Sequence, residues 1–347
     1  MRPRQRGATG DVHLAHALLI GVPVAFGNYL KGIAGDERGD LAPEEAAQAF
    51  GAMLDGGVPE LELGAMLVAL RMKGESLGEL LGCHQALGER VHHLEPLAGV
   101  VRTVVIGTYG GTRSQPNLTP LVALVLRRLG VPVLVHGTLE SRGCVASAYI
   151  LRELGVLPCA TLAQAQHALD EERLAFVPTA VLTPGLAGLL ALRNRLGVPS
   201  TAHWLAKLID PFRGASLRLV GVGQPRALER TRELLLATGE RALVLRGVDD
   251  EPFADPRQRP RIEYFDDGAA FVLFDEEHAS VDSTAAPPES IEARATAAYI
   301  RRMLEGAAPL PLPIVNEIAC CLYGAGLTAD LNQAKAIAAV QTHSLAA

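Results

Sequence analysis

The stretch Ile106-Gly-Thr-Tyr-Gly-Gly-Thr-Arg-Ser-Gln-Pro-Asn-Leu-Thr-Pro120 concentrates groups that can hold an anion. Gly107 and Gly110 let a backbone approach a phosphate, and a helix that follows offers its free N–H groups and positive dipole end. Thr108, Asn117 and Thr119 add side-chain partners. The plainer alternative is that Gly110-Gly111 only turns the chain. Asp249-Asp-Glu251 is the second feature with chemistry. Its plain reading is an acidic surface turn before Pro252. His136 suits a structural hydrogen bond better than acid–base work. His203 and Lys207, four apart, would share a helix face and suit phosphate or plain solvation. The adjacent His92 and His93 point in different directions, which argues against a metal. Ser141 and Ser147 lack a base at readable spacing, and Cys320-Cys321 fit an apolar helix.

The elements that must position these groups follow from periodicity. Residues 1–10 read as a tail, and helical spacing runs from about Asp11 to Glu95. Pro43-Glu44-Glu45 opens a helix to Leu54, a second starts near Pro59, and a third spans Leu77–Val91. From Val100 strands alternate with helices. Val101–Ile106, Val131–Val135, Ala175–Val177, Leu217–Val222, Ala242–Leu245 and Phe271–Phe274 are the expected strands. Leu121–Leu129, Val145–Leu154 and Ala293–Leu304 are expected helices, with a loop over 279–292. This rhythm predicts an α/β chain: a small all-α N-terminal domain over 11–95, joined by helices from 185–206, and a larger domain over 96–347. The larger domain carries a mostly parallel sheet flanked by helices. The loop 107–118 then sits at the carboxyl end of a parallel strand, where such sheets bind ligands.

Composition bounds the function. The 347 residues are 49% hydrophobic and 20% charged, which supplies a sizeable core. The net charge of −6 excludes a wholly basic coat protein. No apolar run reaches the roughly 18 residues of a membrane span, and the basic start lacks the apolar core of a signal peptide. Five scattered cysteines without a CxxC pair fit a reduced, cytoplasmic protein. The charge is uneven: residues 185–262 carry 13 basic and 8 acidic groups, a balance of +5, against −3 before and −8 after them. Arg193, Arg195, Lys207 and Arg213 are the candidate polyanion contacts, with Arg218, Arg257, Arg259 and Arg261 nearby.

In order along the chain, the helical start, the glycine loop, Val135-His-Gly-Thr138 and Leu196-Gly-Val198 leading to Asp210-Pro211 resemble the anthranilate phosphoribosyltransferases. Glu60-Leu-Glu-Leu-Gly64, Leu70-Arg-Met-Lys-Gly-Glu75, Gln115-Pro-Asn-Leu-Thr-Pro120, Val133-Leu-Val-His-Gly137 and Ala202-His-Trp-Leu-Ala-Lys-Leu208 are most similar to the YbiB-type branch, the TrpD-like DNA-binding proteins. The resemblance implies a nucleoside phosphorylase/phosphoribosyltransferase-like fold, a helical domain that dimerises, and a cleft for phosphoribosyl pyrophosphate and magnesium. The family's Gly-Thr-Gly-Gly-Asp loop is departed from at Tyr109 and Gly111, with the tyrosine expected to crowd the backbone cradle. Its Lys-His-Gly-Asn-Arg is departed from at Val135 and Leu139, and the anthranilate-binding arginine position is Pro199. Gly107, Thr108, Gly110, Asn117, Thr119 and His136 are then a vestigial phosphate site, with no catalytic residue assigned. The resemblance sets Asp250 and Glu251 near the family's magnesium-binding Asp-Glu, and paired carboxylates hold magnesium only alongside substrate phosphates, so no cofactor is expected and magnesium enters only with a working phosphoribosyl pyrophosphate site. The expectation is a homodimer that binds DNA without strong sequence preference, its dimer surface built on Met53, Leu61, Leu67 and Leu70. An active glycosyltransferase with another acceptor is the alternative, and a protein-binding scaffold a third.

Overall fold

A computed structural model describes residues 26–35, 39–99, 101–141, 143–277 and 288–344. The expected tail, the helical pattern over 11–25 and most of the loop over 279–292 lie outside them. The chain divides into two units, residues 1–89 with 188–202, and residues 90–187 with 203–347.

The helical unit holds a helix over 26–34 and the helices Pro43–Leu54, Glu60–Lys73 and Leu77–Gly88. Ser76 starts the last of these with a capping box: its hydroxyl accepts the Glu79 N–H, and the Glu79 carboxylate accepts the Ser76 N–H at 2.8 Å. Glu79 is fully buried and also accepts the Leu41 N–H at 3.0 Å and the Lys73 ammonium at 2.7 Å. One carboxylate thus ties three segments. The outer helices pack so closely that a Cβ on Gly82 would lie 2.0 Å from the Pro43 carbonyl oxygen.

Met53, Leu67 and Leu70 do not form an apolar surface. Each is buried. Leu61 alone of the expected set is outside, 82% exposed, and Val68 and Met72 are exposed with it. With Ala65 they repeat at 4, 3 and 4 residues, one stripe along Glu60–Lys73.

The second unit is built on a seven-stranded sheet: β1 Thr103–Thr108, β2 Val133–Gly137, β3 Leu174–Pro178, β4 Ser216–Gly221, β5 Ala242–Leu245, β6 Ile262–Asp266 and β7 Ala269–Phe274. The order is β3-β2-β1-β4-β5-β6-β7, parallel through β5 and antiparallel from β5 to β7. Strands β1 to β5 are buried on both faces, as continuous apolar runs require. Helices Thr119–Arg128, Ser147–Glu153, Ala293–Leu304 and Leu312–Gly324 share one core with Ile106, Val135, Phe176, Leu219 and Leu245. Strand β6 is absent from the expected strands. Its signal is the Asp267-Gly268 pair, both with positive φ, which makes the two-residue hairpin turn into β7.

The chain leaves β1 towards β2 and β3, then returns to β4 on the other side. The carboxyl ends of β1 and β4 are therefore the switch point where the sheet opens a crevice. All five cysteines are free thiols. Among the described residues no helix is long and apolar enough to cross a membrane.

Glu317, on the buried helix Leu312–Gly324, is fully enclosed. One oxygen accepts the Ala254 N–H at 2.7 Å and the other has no partner among the described residues. Burial pushes its pKa up to about 8. The unfolded chain loses this proton near the ordinary carboxyl value and the folded chain only near 8, so stability falls as pH rises through that window. Glu317→Gln keeps the acceptor for Ala254 and removes the titration. Its advantage in chemical denaturation should be small at pH 4.5, grow to on the order of 3 kcal/mol by pH 9, and then level off.

Candidate functional site at the carboxyl edge of the sheet

Strand β1 ends against its neighbours with no room to spare. A Cβ on Gly107 would lie 3.1 Å from the Lys207 Cα and 3.2 Å from His136 Cε1. The chain then turns through Tyr109-Gly110-Gly111, where Gly111 has φ +64° and a Cβ would lie 2.8 Å from the Val145 carbonyl oxygen. The aspartate that the resemblance puts at this position has no place in this conformation. Three successive N–H groups of the loop point inward and form a nest for an anion.

The anion in that nest is the carboxylate of Glu251. Its Oε1 accepts the N–H groups of Tyr109, Gly110 and Gly111 at 3.1, 2.9 and 2.9 Å. Its Oε2 is met by the Thr108 hydroxyl, the Ser147 hydroxyl at 3.1 Å, the Asn117 amide at 3.3 Å and the Thr119 hydroxyl at 3.5 Å. Glu251 is fully buried, so the acidic surface turn is not what forms here. It arrives from the loop after β5, across β4. Asp249 and Asp250 take the left-handed conformation, with φ of 51° and 69°, that aspartate tolerates better than most residues. A Cβ on Gly221 or Gly247 would collide with the Glu251 carbonyl oxygen, at 2.5 and 2.0 Å. Those two glycines let the turn lie flat enough to deliver the side chain.

Lys207 holds the same turn from below. Its ammonium donates to the carbonyl oxygens of Gly221 and Asp250, both at 2.9 Å, and stands 3.7 Å from the Asp250 carboxylate. The helix Thr201–Leu205 passes into a 3₁₀ turn over Ala206–Leu208, so Lys207 leaves the face shared with His203 and is 9% exposed. It is a structural cation and is not available to a polyanion. Burial draws its pKa down, against the pull of Asp250 and Glu251.

Tyr109 does not crowd the nest. Its ring turns away under the loop, stacks edge-on to His136 and bonds the imidazole Nδ1 through its hydroxyl at 2.7 Å. Thr179 donates to the same hydroxyl at 3.4 Å. His136 is fully buried, its Nε2 has no partner among the described residues, and burial lowers its pKa to about 3. It is a neutral structural group. The structure therefore brings Gly107, Thr108, Gly110, Asn117, Thr119, His136, Asp250 and Glu251 to one place. It adds Ser147, whose hydroxyl accepts from Asn117 at 3.0 Å. No spacing in the sequence links Ser147 to Glu251, 104 residues later.

The other candidates are dispersed. Arg193 and Arg195 belong to the helical unit, Lys207 and Arg213 to the α/β unit. Arg195 forms a two-pronged pair with Glu60 at 3.1 and 2.9 Å. Arg218 pairs with Glu240, Arg257 with Asp255, Arg259 with Glu277, and Arg261 with Glu263 and Asp275. The +5 balance of residues 185–262 is thus met largely by carboxylates, several of them outside that window. Arg213 is exposed and Arg193 half-buried, and neither forms an ion pair among the described residues. His92 and His93 turn Nδ1 to the carbonyl oxygens of Val181 and Pro211. Val135 is buried inside β2, and the Pro199 carbonyl accepts from Arg71 at 2.9 Å.

Two family models match this chain: the helical-bundle domain of a glycosyl transferase family over residues 30–90 and its α/β domain over residues 102–346. The uncharacterised protein YbiB of Escherichia coli K12 is 38% identical over 84% of this chain and 91% of its own length. The anthranilate phosphoribosyltransferase of Methanosphaerula palustris is 28% identical over 89% and 92%. The crystal structure of the anthranilate phosphoribosyltransferase TrpD from Thermus thermophilus superposes with a TM-score of 0.75 at 25% identity, covering 93% of this chain and 95% of that one. The Saccharomyces cerevisiae enzyme in complex with phosphoribosyl pyrophosphate and magnesium gives 0.72 at 15% identity, covering 93% and 94%. With its helical bundle, its α/β sheet and the glycine loop at the switch point, the chain belongs to glycosyl transferase family 3 and has the phosphoribosyltransferase-like fold.

Proposed function

We propose that this protein binds nucleic acid as a homodimer and does not transfer phosphoribose to anthranilate. The observation that carries the second half is Glu251. A diphosphate entering the glycine loop would need the N–H groups of Tyr109, Gly110 and Gly111, and all three already donate to a carboxylate of this chain. Displacing it would strand a buried charge, and the Val135, Leu139 and Pro199 positions supply no cation to the incoming ligand. Each charged hydrogen bond forgone is worth roughly 1.5–3 kcal/mol.

Magnesium does not fit the carboxylates as they stand. Both Glu251 oxygens are engaged in the nest. Asp250 accepts the Gly223 N–H and faces Lys207, and Asp249 accepts from Arg113 and Ser114. Nucleic acid is the ligand to which the similarity to the YbiB-type branch and the arginine-rich cation set point; 28 of the 32 cations are arginine, whose fork suits phosphate. The active-transferase alternative requires Glu251 to withdraw, which would open the nest and its ring of hydroxyls to substrate phosphates.

The homodimer is assigned to the stripe Leu61, Ala65, Val68 and Met72. A second copy presenting the same stripe would pack on it ridge into groove and cover the exposed Leu61 and Met72.

Calorimetric titration with phosphoribosyl pyrophosphate and magnesium should give no saturable heat, and anthranilate should not be consumed above background. Micromolar binding with turnover would establish the transferase instead. Fluorescence anisotropy with labelled single-stranded DNA should show binding that weakens steeply with salt. Glu251→Ala leaves three buried N–H groups without an acceptor and should lower unfolding stability by about 3 kcal/mol or more, whereas Glu251→Gln, which keeps Oε1, should lose less. Sedimentation equilibrium should report twice the chain mass for the native protein and a monomer for Leu61→Glu/Met72→Glu.

A further inference from the structure

Three helices on one face of the sheet end beside each other, and each ends in arginine. Thr119–Arg128 closes on Arg127 and Arg128, Ser147–Glu153 on Arg152, and Ala293–Leu304 on Arg301 and Arg302. The three helices pack on one another. Two side chains clasp the ends together: Arg128 donates to the Leu304 carbonyl at 2.6 Å, and Arg301 donates to the Glu153 carbonyl. Arg128, Arg152, Arg301 and Arg302 are all exposed. None of the four forms an ion pair among the described residues. Arg127 alone of the five is paired, with Glu172 at 3.8 Å.

A cation at a helix C-terminus ordinarily offsets the dipole, and Arg128 and Arg301 do this for neighbouring helices. That role uses a fraction of what they carry. A guanidinium has five N–H donors, and each of these two spends one on a carbonyl. Arg152 lies over the Tyr149 ring, 5.9 Å from its centre, and makes no backbone contact among the described residues. Arg302 donates its guanidinium to no carbonyl there either. Glu153 and Glu305, the nearest carboxylates in sequence, pair with none of the four. Arg294 extends the row: it is exposed and lies two turns before Arg301 on the same face, about 10 Å away along the axis. This contrasts with residues 185–262, where most cations meet a carboxylate.

We infer that the C-terminal ends of these three helices form a docking surface for the phosphate backbone of nucleic acid, with Arg128, Arg152, Arg301 and Arg302 as its contacts. The inference rests on the nucleic-acid reading above and adds where the ligand sits. Planar guanidinium forks match phosphate oxygens in pairs, and several on a rigid packed frame can follow successive phosphates. Thr119–Arg128 and Ser147–Glu153 follow the parallel strands β1 and β2 and run back along the sheet, and Ala293–Leu304 is clasped to their ends, so this surface lies at the amino edge, away from the Glu251 nest. Recognition through guanidinium–phosphate pairs is independent of base identity.

The test is anisotropy of the full chain with a labelled single-stranded oligonucleotide and its duplex at about 50 and 200 mM salt. Arg152→Glu/Arg302→Glu is the first variant, because neither side chain holds backbone and the melting temperature should stay near that of the native protein. Affinity should drop at least about tenfold for every sequence, and the log–log salt slope should fall by about two. Arg193→Glu/Arg213→Glu should leave affinity within about threefold. If the native protein binds and the Arg152/Arg302 variant binds equally well, the surface is wrong while the nucleic-acid reading stands. If the native protein binds neither oligonucleotide, both fall. Binding only to equimolar phosphatidylcholine–phosphatidylserine vesicles would assign the arginines to a lipid surface and overturn the inference.

Discussion

The buried carboxylate of Glu251 is the constraint on which the α/β unit turns. It gathers the loop after β1, the helix starts at Thr119 and Ser147, and its own loop after β5 around one charge. A buried anion is tolerable only when its lone pairs are met, and here backbone N–H groups and hydroxyls meet them from several segments. Gly221 and Gly247 let that loop approach, Lys207 holds it, and Gly111 shapes the nest. A nest that could face a ligand is closed here by the chain itself.

Three buried glutamates show how the same side chain changes character with its partners. Glu251 has a full ring of donors. Glu79 has two backbone N–H groups and an ammonium, and it locks the helical unit. Glu317 has one N–H and an orphan oxygen, and burial raises its pKa to about 8. The first two act as fixed anions that organise loops. The third is a group whose charge the fold resists.

Pairing also decides where positive charge is available. Counting charges along the chain points to residues 185–262, but ion pairs draw partners from distant segments: Glu60 to Arg195 and Glu277 to Arg259. Arg128, Arg152, Arg301 and Arg302, at the ends of three packed helices, form no ion pair among the described residues, although the segments that hold them, 1–184 and 263–347, are acidic overall. A field is a property of surfaces, and only folding sets which charges share one.

Layer order, strands β1 to β5 and the switch-point loop are legible in the residue pattern, because buried parallel strands and helix faces leave periodic apolar patterns that need no partner to be read. Pro43 with Glu44 and Glu45 marks a helix start for the same local reason. Strand β6 escaped because its mixed residues break the pattern, though Asp267-Gly268 marked its turn. The tertiary structure alone decided the site. Glu251 and Gly110 are 141 residues apart, and Lys207, which reads as a surface cation four places from His203, is buried once the helix tightens at Ala206. Met53, Leu67 and Leu70 went inward for a like reason, leaving Leu61 and Met72 outside. Apolar type states that a side chain prefers burial, but which face of a helix finds a partner depends on elements far away in the chain.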